Sequence, residues 1–163
     1  MGVIGLGRIG RRVSEVLSQL GCKVLGHDIA PQEAWAKRFK VSLLDLDRVL
    51  SLSDIITLHL SASPENPFIL KRAHFQSMKK GALLINVARG AFLDEKALAE
   101  ALQEGRLSGA GLDVFEQEPY TGPLCDLDNV ILTPHVASLT VESRLAMEME
   151  AAENIVKFFI KCL

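Results

Sequence analysis

The sequence predicts an α/β protein built on a doubly wound, mainly parallel sheet with helices on both faces. Short apolar stretches suited to buried strands alternate with segments in which apolar residues recur every three to four positions. Glycine or proline often marks the boundary between two such segments. A chain of 163 residues can bury the core of one ordinary domain. We therefore expect a single domain over residues 1–163.

The elements follow one another in βα order. A stub of a first strand at residues 3–4 precedes a helix at residues 8–20, which Gly21 ends. The helix is expected to bury one apolar face formed by Ile9, Val13, Val16, Leu17 and Leu20. Further strands are predicted at residues 23–27, 55–60, 82–87, 109–114 and 130–132. Further helices are predicted at residues 31–39, 46–50, 71–78 and 94–104, with Asp94 as an N-cap, and a loop is predicted around Pro64 and Pro67.

A long helix is predicted at the end of the chain, with Thr140 as its N-cap. Its apolar residues recur at three to four positions and are Val141, Leu145, Met149, Ala152, Val156, Phe159 and Leu163. So long an apolar face needs a partner surface. We expect it to contact another domain or a second copy of the chain, and we predict a homodimer.

Composition excludes several classes of protein. Charged residues make up 23% of the chain, the net charge is −2, and no segment concentrates lysine and arginine, which argues against nucleic-acid binding. No run of about 18 apolar residues predicts a membrane span, and no export signal precedes the first strand. Cys22, Cys125 and Cys162 lie far apart without C-x-x-C spacing, so neither a metal site nor a disulfide framework is expected. These features predict a cytoplasmic protein.

Residues 5–10 read Gly-Leu-Gly-Arg-Ile-Gly and match the G-x-G-x-x-G pattern between a predicted strand and a predicted helix. In that context Gly5 makes a tight turn, Gly7 lets a pyrophosphate approach the backbone, and Gly10 lets helix and strand pack closely. Arg8 and Ile9 lie at the helix N-terminus, which faces the phosphates. The pattern predicts a Rossmann-type dinucleotide site.

Asp28 lies at the end of the second predicted strand. A carboxylate there can accept hydrogen bonds from the adenosine ribose and would repel a 2′-phosphate. The next residues, Ile29 and Ala30, supply no arginine for such a phosphate. The sequence therefore favours NAD over NADP, with a turn-forming aspartate as the structural alternative.

Four segments in order resemble the motifs of the D-2-hydroxyacid dehydrogenases, which include phosphoglycerate dehydrogenases. They are residues 5–10, Asn-Val-Ala-Arg-Gly at 86–90, Leu-Asp-Val-Phe-Glu-Gln-Glu-Pro at 112–119 and Leu-Thr-Pro-His at 132–135. The resemblance covers essentially the whole chain but only the cofactor-binding half of the usual family member, so the substrate domain is absent from it. It implies hydride transfer between NAD(H) and a D-2-hydroxy acid or 2-keto acid.

The same resemblance implies three catalytic residues. Arg89 would hold the substrate carboxylate and carbonyl oxygen, for which its planar fork of donors is suited. His135 would be the acid/base, and Glu118 would hydrogen-bond its ring and fix the tautomer. Glu116 is a rival for the role of Glu118, because both flank Gln117, although only Glu118 precedes proline.

Further cofactor contacts are implied by resemblance. Asp113 would contact the nicotinamide carboxamide, and Val87 and Ala88 would line the ring. The remaining candidates for cofactor contact are Leu60, Ser61 and Ser138. The loop at residues 59–66 departs from the family, which commonly has proline at the position of Ser61 and threonine at those of Ser63 and Asn66. The other histidines, His27, His59 and His74, match no motif and are predicted to be structural.

Two classes of function fit these residues. The first is an NAD-dependent dehydrogenase, inactive as an isolated domain. The second is a dinucleotide-sensing regulator, since co-repressors related to the family keep the fold and even the catalytic residues. An intact set of Arg89, Glu118 and His135 favours the enzyme. The same motifs disfavour another Rossmann dehydrogenase, such as a relative of alanine dehydrogenase or adenosylhomocysteinase.

Overall fold

The structure, a computed structural model, describes residues 1–61 and 70–161. Seven strands form one sheet in the order β3-β2-β1-β4-β5-β6-β7, and each pair of neighbours is parallel. The strands are β1 Gly2–Ile4, β2 Leu25–His27, β3 Ser42–Leu43, β4 Ile55–Leu58, β5 Ala82–Asn86, β6 Leu107–Leu112 and β7 Val130–Leu132. The predicted doubly wound parallel sheet is confirmed.

Helices connect the strands. They are α1 Arg8–Gln19, α2 Glu33–Arg38, α3 Leu46–Leu52, α4 Arg72–Ser77, α5 Glu95–Gln103 and α6 Val141–Lys161, with 3-10 turns at Gly90–Phe92 and Pro123–Asp126. Both predicted caps are confirmed. The Asp94 carboxylate accepts the Ala97 N–H at 3.0 Å, and the Thr140 hydroxyl accepts the Ser143 N–H at 3.1 Å.

The predicted strands differ from the observed ones mainly at their ends. Strand β4 ends two residues and β5 one residue before the predicted boundary, and β6 begins and ends two residues earlier. Val87 and Asp113 therefore lie in loops rather than in strands. Strand β3 was not predicted, because two residues cannot show an alternating pattern. Pro64 and Pro67 lie outside the described residues.

Two apolar cores lie on opposite faces of the sheet. Val3 belongs to a smaller cluster with Leu6 and Val24, whereas Ile4 belongs to a larger cluster with Leu58. Successive side chains of a strand point to opposite faces, so these clusters lie on opposite sides of β1. The smaller cluster does not extend to β5 and β7, where Leu83 is 38% exposed and Ile131 is 73% exposed on the same side of the sheet as Val3.

The predicted buried face of α1 was wrong. Ile9 is 68% exposed, Leu20 is 74% exposed and Val16 is also exposed, while Val13 and Leu17 are half-buried. The buried residues of α1 are Gly10 and Ser14. The helix begins directly in the glycine turn, so its small residues approach the sheet and much of its apolar surface faces outward.

Strand β1 marks the point at which the strand order reverses. The chain runs from β1 to β2 and β3 on one side, and then crosses to β4 on the other side of β1. In open α/β sheets, ligands bind outside the carboxyl ends of the strands at such a switch point. The loops after β1 and β4 are therefore the expected walls of a ligand site.

Helix α6 leaves its apolar residues uncovered. From Val141 to Ile160 every residue except Ser143 is exposed, including Phe158 and Phe159. The predicted last member of its apolar face, Leu163, lies outside the described residues. Among the helices at residues 1–61 and 70–161, none is both long enough and apolar enough to cross a membrane.

Candidate active site

The turn after β1 requires glycine at two positions because of contacts within the chain. Gly5 has φ +92°, and a Cβ there would lie 2.6 Å from the carbonyl oxygen of His59. A Cβ at Gly10 would lie 1.9 Å from the carbonyl oxygen of Gly5. Neither position can accept a side chain without movement of the backbone. These two glycines fix the turn against the loop after β4.

Gly7 is different, since a Cβ there would meet no atom within 4 Å. It is the N-cap residue of α1, no side chain caps the helix, and the adjoining Arg8 and Ile9 are exposed. The positive end of the helix dipole is therefore open beside a residue that leaves its backbone uncovered. This arrangement fits a pyrophosphate bound against the backbone. The fold itself does not require glycine at this position, but the absence of a side chain leaves the backbone accessible to such a ligand.

Asp28 ties the glycine turn to the loop after β2. Its Oδ2 accepts the Leu6 N–H at 2.6 Å, and its Oδ1 accepts the Ala30 N–H at 2.8 Å. Both bonds fix the carboxylate at the carboxyl edge of the sheet. Each oxygen keeps a further lone pair, so the group can still accept a hydroxyl of the ligand.

The loop after β4 brings His59 beneath the glycine turn. Its Nε2 lies 3.1 Å from the Thr57 hydroxyl, and burial lowers the pKa of the half-buried imidazole. Leu60 is half-buried and Ser61 is exposed at the same edge. Ser63 and Asn66, at which the chain departs from the family, lie outside the described residues.

The other two histidines that match no motif, His27 and His74, each contact a backbone group through Nδ1. His27 Nδ1 lies 3.1 Å from the Leu44 carbonyl oxygen, and His74 Nδ1 accepts the Lys71 N–H at 2.9 Å. A structural role for both stays the prediction.

Arg89 lies on the loop after β5, which packs closely against the loop after β6. Its side chain is exposed, and Nη1 donates to the Ala88 carbonyl at 2.6 Å. A Cβ at Gly90 would lie 1.8 Å from the carbonyl carbon of Phe115, so only glycine lets the two loops meet. Val87 is exposed at the edge, whereas Ala88 is buried.

Glu118 and His135 lie in contact. Glu118 Oε2 accepts a hydrogen bond from His135 Nδ1 at 3.0 Å, and Oε1 accepts the Phe115 N–H at 3.1 Å. The hydrogen bond from His135 and then that from Phe115 lower the pKa of Glu118. The side chain of the rival Glu116 makes no hydrogen bond in the described part of the chain, and its N–H donates to Glu95. The structure therefore joins His135 to Glu118.

Asp113 holds the loop that carries His135. Its carboxylate, only 5% exposed, accepts hydrogen bonds from the Thr133 hydroxyl at 2.5 Å, the Val136 N–H at 2.9 Å and the Ala137 N–H at 3.0 Å. Burial alone would raise the pKa of Asp113, but these bonds outweigh it and lower the pKa. They also hold His135 at φ +53°. Sequence reasoning missed this role; contact with the nicotinamide carboxamide stays a prediction.

The structure arranges the predicted residues in two groups along one edge of the sheet. The glycine turn, Asp28 and Leu60 follow β1, β2 and β4. The predicted catalytic residues follow the adjacent strands β5, β6 and β7, with Arg89 on the loop beside that of Glu118. Ser138 is exposed just beyond the His135 turn. Parallel strands bring all these loops to the same edge.

A seven-stranded parallel sheet, a glycine turn at its switch point and a fixed acid after the second strand define a Rossmann-type dinucleotide-binding domain. The family model described as D-isomer specific 2-hydroxyacid dehydrogenase, NAD binding domain, matches residues 1–137. The chain belongs to this family and is its NAD-binding domain.

Similar proteins include a glyoxylate reductase of Aeropyrum pernix, 41% identical over 97% of this chain and 48% of the relative. A D-3-phosphoglycerate dehydrogenase of Methanocaldococcus jannaschii is 43% identical over 96% of this chain and 30% of the relative. A solved structure of D-lactate dehydrogenase from Aquifex aeolicus with NAD and lactic acid has a TM-score of 0.87 and 37% identity, covering 98% of this chain and 53% of that one. The chain thus spans about half or less of these proteins.

Proposed function

We propose that the protein carrying this chain is an NAD-dependent dehydrogenase that transfers hydride between NAD(H) and a D-2-hydroxy acid or 2-keto acid. The observation that carries the proposal is the hydrogen bond between Glu118 and His135, with Glu118 on the loop next to that of Arg89. A carboxylate-bound imidazole at the same sheet edge as an exposed guanidinium suits proton transfer to or from the hydroxyl oxygen on the carbon next to a carboxylate. A dinucleotide-sensing regulator related to this family can keep the same pair, so turnover by the whole protein is the property that separates the two classes.

His135 and Arg89 have separate roles in the proposed reaction. His135 Nδ1 is engaged by Glu118, which leaves Nε2 to take the substrate hydroxyl proton or to return it. The guanidinium of Arg89 binds the carboxylate in a two-point contact and polarises the neighbouring carbonyl. When bound, the nicotinamide supplies the hydride acceptor or donor.

The cofactor contacts are assigned by position at the sheet edge. Backbone N–H groups at Gly7, Arg8 and Ile9 face the pyrophosphate, and Asp28 accepts the adenosine ribose hydroxyls and favours NAD over NADP. The residues proposed to line the nicotinamide and its ribose are Leu60, Ser61, Val87, Ala88, Asp113 and Ser138.

The proposal includes partners for the apolar surface of α6. The glyoxylate reductase and the phosphoglycerate dehydrogenase named above are at least twice as long as the segment they share with this chain, and α6 is exposed along its length. We propose that a substrate domain covers part of this helix in the whole protein, and that a second copy covers it in the isolated chain. A cytoplasmic location stays a prediction from the spacing of the cysteines.

The test separates binding from chemistry. The 163-residue chain is expected to bind NADH in a calorimetric titration, since the glycine turn and Asp28 lie within it. It is expected to show no useful oxidation of NADH with glyoxylate, hydroxypyruvate or 2-ketoglutarate, because half of the closed cleft is absent. Absent binding would refute the cofactor assignment, and ordinary turnover would refute the proposed two-domain cleft.

In the whole protein, His135→Gln tests the catalytic assignment. The variant is expected to lose about 10²- to 10⁴-fold in kcat while its affinity for NADH changes less than twofold. His74→Gln is the matched control, since His74 lies on α4 and, among residues 1–61 and 70–161, its side chain bonds to the N-cap residue of its own helix. Unchanged kcat in His135→Gln would remove the acid/base from the proposal.

A further inference from the structure

Asn86 is a fully buried polar residue at the point where β5 ends. Its side chain is 0% exposed, at the end of a strand whose other buried residues are Ala82 and Leu84. A primary amide buried among apolar side chains is costly unless all its polar atoms are paired. The hydrogen-bond partners of the Asn86 amide therefore indicate which segment of the structure it holds in place.

Both ends of the Asn86 amide bind the backbone of the segment that carries Arg89. Oδ1 accepts the Ala88 N–H at 3.0 Å, and Nδ2 donates to the Arg89 carbonyl oxygen at 2.8 Å. The main-chain carbonyl of Asn86 also accepts the Asp113 N–H at 3.0 Å. One residue thus fixes the Arg89 backbone with respect to the strand behind it and the neighbouring loop.

The other side of this segment is fixed as well, because Gly90 touches the backbone of Phe115 without room for a Cβ. The Arg89 side chain itself is exposed, and its only hydrogen bond in the described residues goes to the carbonyl of Ala88. The backbone therefore fixes the place at the sheet edge from which the Arg89 side chain extends.

We propose that Asn86 is the positioning residue for Arg89, and that its amide directs the guanidinium toward the substrate carboxylate. The inference rests on the proposed role of Arg89 and adds to it. A donor and an acceptor are both needed, so only an amide of this length satisfies the two contacts. A carboxylate at this position keeps the bond from Ala88 and cannot donate to Arg89.

The test uses two variants, Asn86→Ala and Asn86→Asp, with oxamate affinity measured in the whole protein saturated with NADH, NADH affinity measured in the same whole protein, and relaxation measured in the 163-residue chain. Oxamate, a carboxylate with an adjoining carbonyl, is the probe for Arg89. Ser53→Ala is the control, because Ser53 is also buried and its hydroxyl has no hydrogen-bond partner in the described chain. The readouts are ¹⁵N relaxation at the Arg89 and Gly90 amides, oxamate affinity and NADH affinity.

In the unmutated chain the Arg89 amide is expected to be rigid, with an order parameter of about 0.85, and in Asn86→Ala it is expected to fall below about 0.6. Oxamate affinity is expected to fall at least tenfold in Asn86→Ala and by an intermediate factor in Asn86→Asp, because a displacement of the order of 1 Å can cost up to about 100-fold. NADH affinity is expected to stay within twofold, as in the control.

Three outcomes would overturn the proposal. The first is unchanged relaxation and unchanged oxamate affinity in a folded Asn86→Ala or Asn86→Asp variant. The second is an equal loss of NADH and oxamate affinity, which a general loss of structure would produce. The third is the same losses in Ser53→Ala. If the unmutated whole protein binds no oxamate, the assigned function of Arg89 fails, while the relaxation data still decide whether Asn86 fixes its backbone.

Discussion

Glu118 accepts a hydrogen bond from His135 at 3.0 Å, and this bond joins the loop after β6 to the loop after β7. The second oxygen of the same carboxylate accepts the Phe115 N–H, so Glu118 also braces its own loop. Loss of its negative charge at low pH would weaken both bonds. The stability of this end of the domain should therefore depend on the protonation of one carboxyl group.

Glu118→Gln should reduce the dependence of stability on acid. The pKa of Glu118 in the folded chain lies below its ordinary value of 4.5. The stabilisation is therefore fully present above that ordinary pKa and is lost as the pH falls through the folded-state pKa. The difference in unfolding free energy between the unmutated chain and the variant should shrink below pH 4.5, as measured by urea unfolding across pH. Glu150→Gln, at an exposed position of α6, is the control, and an identical trend in that variant would refute the assignment.

Asp113→Asn should loosen the turn that holds His135. An amide cannot replace all the acceptors of the carboxylate, so at least one of the Val136 and Ala137 N–H groups loses its partner. We expect the chain to lose about 1–3 kcal/mol of stability and the two amides to exchange hydrogen faster. Asp128→Asn, on the exposed segment before β7, is the control. Unchanged exchange at both amides would show that the turn holds its shape without Asp113.

Gly7→Ala and Gly10→Ala should separate binding from folding. Nothing lies within 4 Å of a Cβ at Gly7, so that variant should lose no more than about 1 kcal/mol of stability. Its NADH affinity should fall at least tenfold, because the methyl group occupies the approach to the backbone. Gly10→Ala should unfold the chain or destabilise it by more than about 3 kcal/mol. Gly111→Ala, also at an open position, should leave NADH binding unchanged; normal NADH binding by Gly7→Ala would contradict the pyrophosphate assignment.

Asp28→Ala should weaken NADH binding and narrow the preference for NADH over NADPH. The carboxylate repels a 2′-phosphate and accepts ribose hydroxyls, so its removal acts on both cofactors in opposite directions. Fluorescence titration with each cofactor measures the ratio of affinities. Asp47→Ala, an exposed acid on α3, should leave the ratio unchanged. Equal affinity of the unmutated chain for the two cofactors would count against the role of Asp28.

Leu145→Glu combined with Phe159→Glu should make the isolated chain monomeric. Both side chains are about 60% exposed on α6, and charge on this face would oppose association through the apolar surface. Sedimentation velocity of the unmutated chain should show a dimer. Lys157→Glu is the control, since it changes charge on the same helix without altering an apolar residue. A monomeric unmutated chain would refute the proposed pairing.

The alternation of elements and the glycine motif were enough to predict the sheet, because both depend on short stretches of sequence. The face of α1 was predicted wrongly for the opposite reason. Periodicity places Ile9 and Leu20 inward, whereas the close approach of Gly10 to Gly5 turns the helix so that small residues face the sheet. The orientation of α1 therefore depends on a contact between residues of the glycine turn, which hydrophobic periodicity cannot predict.

In the candidate site, too, residues within motifs were predicted from the sequence and contacts formed on folding were not. Motifs pointed to Glu118 and His135, but the supporting contacts of Asn86 and Asp113 depend on which loops meet after folding. The available signal was a polar residue at the end of each buried strand, immediately before or within a motif. That signal suggests a buried polar role and does not reveal the partner.

The backbone conformation of His135 affects the stability of this domain. A residue with a Cβ pays for the left-handed conformation at φ +53°, at a cost of roughly 1–2 kcal/mol that glycine avoids. His135→Gly should therefore relieve that strain while removing the imidazole. The same substitution removes the hydrogen bond to Glu118, so relief of backbone strain and loss of a bond between two loops oppose each other at a single position.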